Sequence, residues 1–153
     1  MATLLIVHHT PSPATHAMLE AATSGARDDA IEDVEVITRP ALTCSEVDVL
    51  DADGYVLGTP ANIGYMSGAL KHFFDRIYYP CLDGTGGRPY GVYVHGNEGT
   101  DGAVRAVESI AGALGWRKVA DTVAVLGQPE SADLAAIGEL AATVAAILDG
   151  ALD

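Results

Sequence analysis

The chain has 153 residues, 49% of them hydrophobic, enough for a single domain over residues 1–153 with a sizeable core. Eight Lys and Arg stand against 21 Asp and Glu, a formal net charge of −13, which excludes nucleic acid and anionic lipid surfaces as partners. Two cysteines, Cys44 and Cys81, lie far apart and without C-x-x-C spacing, which excludes a disulfide scaffold and a cysteine-ligated metal.

In chain order, the apolar run Leu4–Val7 predicts a first strand. A loop rich in hydroxyls follows, then an amphipathic helix over about Ala14–Ser24, with Gly25 as its stop. Arg27–Asp33 reads as a polar connection whose carboxylates are solvated. Val34–Thr38 is a short β-branched strand ended by Pro40, and Ser45 with Asp48 caps a short helix through about Leu50. Asp53-Gly54 turns into a buried-type strand, Tyr55–Gly58, closed by Thr59-Pro60. Within Gly64–Pro80, Met66, Leu70, Phe73, Phe74 and Ile77 recur at helical spacing. Lys71 and Asp75 sit four apart on another face, and Pro80 is the expected helix end.

A glycine-rich loop, Cys81–Pro89, leads to the strand Tyr90–His95. The next helix, Ala103–Leu114, carries Val104, Val107, Ile110 and Leu114 on one face, with Trp116 packing at its end. Lys118–Leu126 reads as an uninterrupted fifth strand. Gly127-Gln128-Pro129 breaks the chain, Ser131 caps, and a last helix runs to about Asp149. The stretch Leu134–Leu148 carries Glu139 and is too short to span a membrane. The first residues lack a basic segment, so no signal peptide is expected and the cytoplasm is the expected compartment. Alternating strands and helices imply an α/β fold, a mostly parallel sheet between two helical layers.

In such sheets ligands sit beyond the carboxyl ends of the strands, near the switch in strand order. Three loops lie there. The first carries Thr10, Ser12 and Thr15 at the spacing T-x-S-x-x-T, opening directly into a helix. N–H groups at a helix start and the helix dipole favour an anion. The loop has neither glycine nor lysine, so it is neither a G-x-G-x-x-G turn nor a P-loop, and it suits a monophosphate held by neutral donors. A plain helix cap, with Ser12 capping and two prolines stiffening the entry, accounts for the same residues. The second loop, Thr59-Pro60-Ala61-Asn62-Ile63-Gly64, offers backbone N–H groups with little bulk. The third, beginning His95-Gly96-Asn97 and holding Gly99 and Gly102, offers the same.

With the three loops in place, the chain resembles the flavodoxin-like fold family. Thr10-x-Ser12-x-x-Thr15 is similar to its FMN phosphate loop. Gly58-Thr59-Pro60 with Gly64, Ser67-Gly68, Leu70-Lys71 and Asp75-Arg76 resembles the second loop and helix of the NAD(P)H-dependent FMN reductase and quinone reductase branch. Gly91–Gly96 resembles the strand and loop that meet the flavin pyrimidine. The resemblance implies a doubly wound five-stranded parallel sheet of order 2-1-3-4-5, in the family's shorter form. It implies FMN as cofactor, with NAD(P)H as a co-substrate. Thr10, Ser12 and Thr15, with N–H groups around Pro13 and Ala14, would hold the phosphate. Backbone of Thr59, Pro60, Ala61, Asn62, Ile63 and Gly64 would meet the N5 and O4 edge. His95, Gly96, Asn97 and Gly99 would meet the N1, O2 and N3 edge. No catalytic side chain is implied, since the chemistry is the flavin's, and His95 is a modulator at most, with a plain backbone hydrogen bond as the alternative.

The implied activity is an oxidoreductase that passes reducing equivalents from NAD(P)H to a quinone or free flavin. The alternative is an electron carrier between redox protein partners. The third loop has no aromatic residue and the second has only Tyr65, so one flavin face stays open, which favours the reductase. Against it, only Arg76, Arg88 and Arg105 are candidates for dinucleotide phosphates, Arg76 being expected to pair with local carboxylates. Glu98 and Asp101 repel such groups. A third reading is a family member that binds flavin poorly and acts by interaction. Tyr78 and Tyr79 mark a helix end suited to a homodimer.

Several motifs carry no function. Cys81 and Arg88 are spaced C-x6-R, one residue longer than a phosphatase loop, and precede a strand. Ser67 lacks a G-x-S-x-G setting. His8 and His9 point to opposite faces of a strand end, and no carboxylate or cysteine completes a metal site with them or His16; His9 and His16 do flank the first loop, where a partly protonated imidazole would help hold a phosphate.

Overall fold

The computed structural model describes residues 1–152; Asp153, the last residue of the expected 1–153 domain, lies outside them. Strand β1 (Ala2–His8) is central, parallel to β2 (Val34–Pro40) on one side and β3 (Gly54–Asn62) on the other. β5 (Pro89–Gly96) pairs parallel with β3, and the far edge is β6 (Arg117–Lys118) and β7 (Val123–Leu126), both parallel to β5. The order β2-β1-β3-β5-β6/β7 matches the expected 2-1-3-4-5 arrangement. A short strand β4 (Tyr65–Met66) folds back antiparallel on the end of β3.

The fifth position is therefore broken where an uninterrupted strand was expected. Between the pairs Tyr90↔Lys118 and Tyr93↔Val123, four edge residues, Val119–Thr122, stand opposite two of β5, Gly91 and Val92. Extra residues on one side of a ladder bulge outward and interrupt pairing. Alternation of Val119, Val123 and Val125 hides this bulge, because it looks the same with or without two extra residues.

Helices α2 (Glu46–Asp51), α3 (Gly68–Cys81) and α4 (Thr100–Ala113) cover one face. That side is aromatic: Tyr55 stacks on Trp116 with centroids 4.1 Å apart, Phe74 lies 6.3 Å from the same indole, and Trp116 donates through Nε1 to Thr85 Oγ1 at 2.8 Å. Helices α1 (Pro13–Ala26) and α5 (Ser131–Leu148) cover the other face with Met18, Ala22, Ile137, Leu140 and Val144. α5 has the length and mean hydropathy of a membrane-crossing helix, longer than the apolar stretch read from sequence, yet its Ile137, Leu140, Ala141, Val144 and Ala145 are buried against α1 and the sheet.

Three helix ends differ from expectation. Gly25 does not stop α1, which runs to Ala26; a Cβ there would stand 2.0 Å from the carbonyl oxygen of Gly138, so Gly25 is the point where α1 and α5 touch backbone to backbone. Pro80 lies inside the last turn of α3, where it removes a single N–H, and the helix ends one residue later. Glu130, not Ser131, is the N-cap of α5, and its N–H donates to Asp133 Oδ2 at 2.8 Å.

Candidate functional site

The chain leaves the C-terminal edge of the sheet three times in adjacent strands. Register aligns His8 with Gly58, and Pro60 with His95, so the loops after β1, β3 and β5 emerge side by side. The strand order turns at β1, which is followed by α1 and β2 on one side and flanked by β3 on the other. His9 N–H donates to Gly58 O at 3.0 Å and ties the first loop to the second strand.

In the first loop Ser12 is the N-cap of α1. Its Oγ accepts from Thr15 N at 3.2 Å, and Thr15 Oγ1 accepts from Ser12 N at 3.0 Å, a reciprocal capping box. Thr15 Oγ1 also donates to Ser12 O at 3.0 Å, and Thr15 is buried. The cap reading of these hydroxyls is thus the arrangement adopted. Pro13 opens the helix without an N–H, and the N–H of Ala14, the second helical residue, belongs to the turn that has no intrahelical acceptor. Thr10 is bound elsewhere: its Oγ1 lies 2.7 Å from His8 Nδ1. His8 is half-buried, and burial first, then the nearby His9, hold its pKa below the usual 6.5. His16 points away, pairing with Glu20 one turn on at 3.6 Å.

The second loop is a hairpin. Ala61 pairs with Met66 and Asn62 with Tyr65, so Ile63-Gly64 is a two-residue turn, with φ of +51° and +71°. Both values are left-handed, as a type I′ turn requires. Thr59 and Pro60 are buried: Thr59 Oγ1 donates to Pro60 O at 2.8 Å and accepts from Ser67 N at 3.0 Å, clasping the hairpin to the start of α3. Asn62, Ile63, Gly64 and Tyr65 are exposed, Ile63 fully so.

The third loop buttresses that hairpin. A Cβ on Gly102 would stand 2.0 Å from Gly64 O, and one on Gly99 3.0 Å from Gly64 Cα. Gly99 is the N-cap of α4 at φ +71°. Asn97 and Gly99 are exposed beside Glu98, while Gly96 is buried under Ala61. His95 turns to the sheet edge, its Nε2 2.8 Å from Gly127 O, the backbone alternative for this ring. Of the expected site residues, Thr10, Ser12, Ala14, Asn62–Gly64, Asn97 and Gly99 share one rim. Thr15, Thr59, Pro60 and Gly96 serve from beneath it.

Gly102, expected in the third loop, instead lies in the first turn of α4, where it meets Gly64. His8 was missed as part of this region, with no signal beyond adjacency to the loop. The arginines weighed for dinucleotide phosphates are largely engaged. Arg76 donates to Ala41 O and Cys44 O, both at 2.7 Å, so carbonyls replace the expected carboxylates. Arg88 donates to Val49 O, Leu50 O and Ala52 O at the end of α2 and to Tyr55 OH. Cys81 is buried beneath, and burial pushes its thiol up. Burial raises Cys44 further, to about 12, so neither is a ready nucleophile.

The residues present suit a phosphorylated flavin on their donor chemistry. Neutral hydroxyls and N–H groups gather at one helix start, and exposed backbone with left-handed turns lies across the rim.

A family model described as NADPH-dependent FMN reductase matches residues 13–130. Over 77 residues the chain is 35% identical to a flavodoxin of Aquifex aeolicus (strain VF5), covering 50% of this chain and 40% of that protein, under half the relative's length. Among solved structures, the flavodoxin, WrbA-like protein from Agrobacterium tumefaciens aligns with a TM-score of 0.81 at 18% identity, over 98% of this chain and 99% of that one. A flavodoxin from the domain Archaea aligns at 0.81 with 17% identity, over 95% and 98%. These structural likenesses establish a flavodoxin-like fold.

Proposed function

The chain belongs to the family described as NADPH-dependent FMN reductase, and on that premise we propose that it is an FMN-binding oxidoreductase that passes reducing equivalents from NAD(P)H to a small acceptor such as a quinone or free flavin. The observation that carries the reading is the meeting of three strand-end loops, with a hydroxyl-lined helix start at one end and Gly64 seated on Gly99 and Gly102 at the other. Ser12, Thr10 and Ala14 N–H would hold the phosphate, with Thr15 supporting the turn. Backbone of Ala61–Gly64, exposed from Asn62 on, and of Asn97–Gly99 would meet the two polar edges of the ring. Bound FMN supplies hydride and single-electron chemistry, while the protein sets orientation and excludes water. The rim has no aromatic side chain besides Tyr65, which is 41% exposed, and this leaves room for a stacking acceptor.

A second reading, an electron carrier between redox proteins, is favoured by one observation. Arg76 and Arg88 are spent on backbone carbonyls, while Glu98 and Asp101 stand exposed at the rim. The visible spectrum of the purified protein, followed by anaerobic mixing with NADPH or NADH, separates the two. Oxidised-flavin bands that bleach on the nucleotide alone support the reductase. Bands that persist until a reductase protein is added support the carrier, and a protein that takes up no FMN overturns both. A cytoplasmic site, a single domain and a homodimer through Tyr79, 81% exposed at the end of α3, complete the proposal.

A further inference from the structure

The first loop must bind an anion without a cation of its own, so the direction of each hydroxyl proton decides how many donors it has. Thr15 Oγ1 lies 3.0 Å from Ser12 O and 2.9 Å from Ser12 Oγ, so its proton stays inside the capping box. Thr10 has one proton and a partner, His8 Nδ1, at 2.7 Å. When Nδ1 is bare, the Thr10 hydroxyl donates to the ring and turns only lone pairs outward. When Nδ1 carries hydrogen, the ring donates to Thr10 Oγ1 and the Thr10 proton is free for an outside acceptor.

We propose that His8 is a positioning residue of the phosphate loop: its Nδ1–H form orients Thr10 as a donor, and binding of FMN selects that form. The inference rests on the FMN reading above. His8 stands on the α1 face of the sheet in the same row as Gly58 and Tyr93, where register aligns His8 with Gly58 and Gly58 with Tyr93. The Tyr93 ring fills the space over Gly58, its hydroxyl 2.2 Å from where a Gly58 Cβ would stand, and that hydroxyl has no partner among the described residues. Among the charged groups, His9 in the following loop is the one that acts on His8; Arg39 on β2 is in register with Val7, on the opposite face of the sheet, and pairs with Asp48 there. Burial disfavours the charged ring, and in the neutral ring the hydrogen can sit on either nitrogen, a choice open to selection by the ligand.

The test titrates FMN and riboflavin, by quenching of flavin fluorescence, into wild type, His8→Leu, His8→Asn and Thr10→Val. Asparagine retains a donor near the Nδ1 position; leucine does not. The expected result is that His8→Leu weakens FMN about tenfold or more, as Thr10→Val does, while His8→Asn restores it and riboflavin, which has no phosphate, is unaffected by all three. In ¹⁵N spectra of wild type, FMN should shift His8 toward the Nδ1-protonated pattern. A His8→Leu variant within twofold of wild type for FMN, or one that loses riboflavin equally, overturns the inference and leaves the FMN reading standing. Should His8→Leu fail to fold, an unchanged His8 ¹⁵N pattern on FMN binding overturns it by itself. Wild type that leaves FMN fluorescence unchanged overturns the FMN reading and this inference together.

Discussion

The two ends of the candidate site are built from different material. At the phosphate end, side chains do the work: Ser12 and Thr15 close a reciprocal box, Thr10 leans on His8, and the first turn of α1 is unstrained. At the ring end the work falls to backbone. Ile63 and Gly64 hold left-handed conformations, and Gly64 is pressed on Gly99 and Gly102 with no side chain between them. Side-chain hydroxyls can serve either the helix or a ligand, so that end doubles as a structural cap. Close-packed backbone has no second partner, and its position is fixed by contact alone.

The largest expected effect breaks the phosphate end. Replacing Ser12 and Thr15 together with Ala removes the capping box, costing about 0.5–2 kcal/mol of stability. It should also weaken FMN by about tenfold to a hundredfold, since a hydrogen bond from Ser12 to a charged group contributes about 1.5–3 kcal/mol and Thr15 acts by holding the turn. Riboflavin affinity should hardly move. A double variant that binds FMN as wild type does would remove the phosphate from this loop. Next in size, Gly102→Ala pushes a Cβ to 2.0 Å from Gly64 O, a backbone atom that cannot swing aside. Overpacking of this kind costs about 1–3 kcal/mol, read as a lower melting temperature. Here FMN and riboflavin should weaken by the same factor, because the ring end is displaced and the phosphate loop is not. Unequal factors would mean that the two ends are coupled.

The contrast also explains what could be read in advance. The spacing of Thr10, Ser12 and Thr15 is a side-chain signal, visible as letters, and the strand alternation that sets β1, β3 and β5 beside one another is equally plain. The hairpin was not visible. A type I′ turn is signalled by Asn-Gly at its centre, and here the centre is Ile63-Gly64, one residue out of step with Asn62. β4 has two residues, too few to show a period. Gly25 was misread because a glycine near a helix end signals either a stop or a close contact, and only the approach of α5, more than a hundred residues on, decides between them. His8 escaped notice because its role is a single bond to a residue two positions away, with no spacing pattern to mark it.

The smallest expected effect is at Ile63. A β-branched residue at φ +51° is a steric outlier, and left-handed backbone costs about 1–2 kcal/mol for a residue with a Cβ. Its side chain is fully exposed, so removing it forfeits no packing. Ile63→Gly relieves that cost but adds about 0.5–1 kcal/mol of unfolded-chain freedom. The net is a gain of about 0–1.5 kcal/mol, a rise of up to about 6 °C in melting temperature for a chain of this size. FMN affinity should stay close to wild type, since the hairpin backbone keeps its register through Ala61–Met66 and Asn62–Tyr65. A fall in melting temperature would show that the Ile63 side chain is covered in solution. The partner would then be a second copy of the chain, and the melting temperature of wild type, but not of Ile63→Gly, would rise with protein concentration.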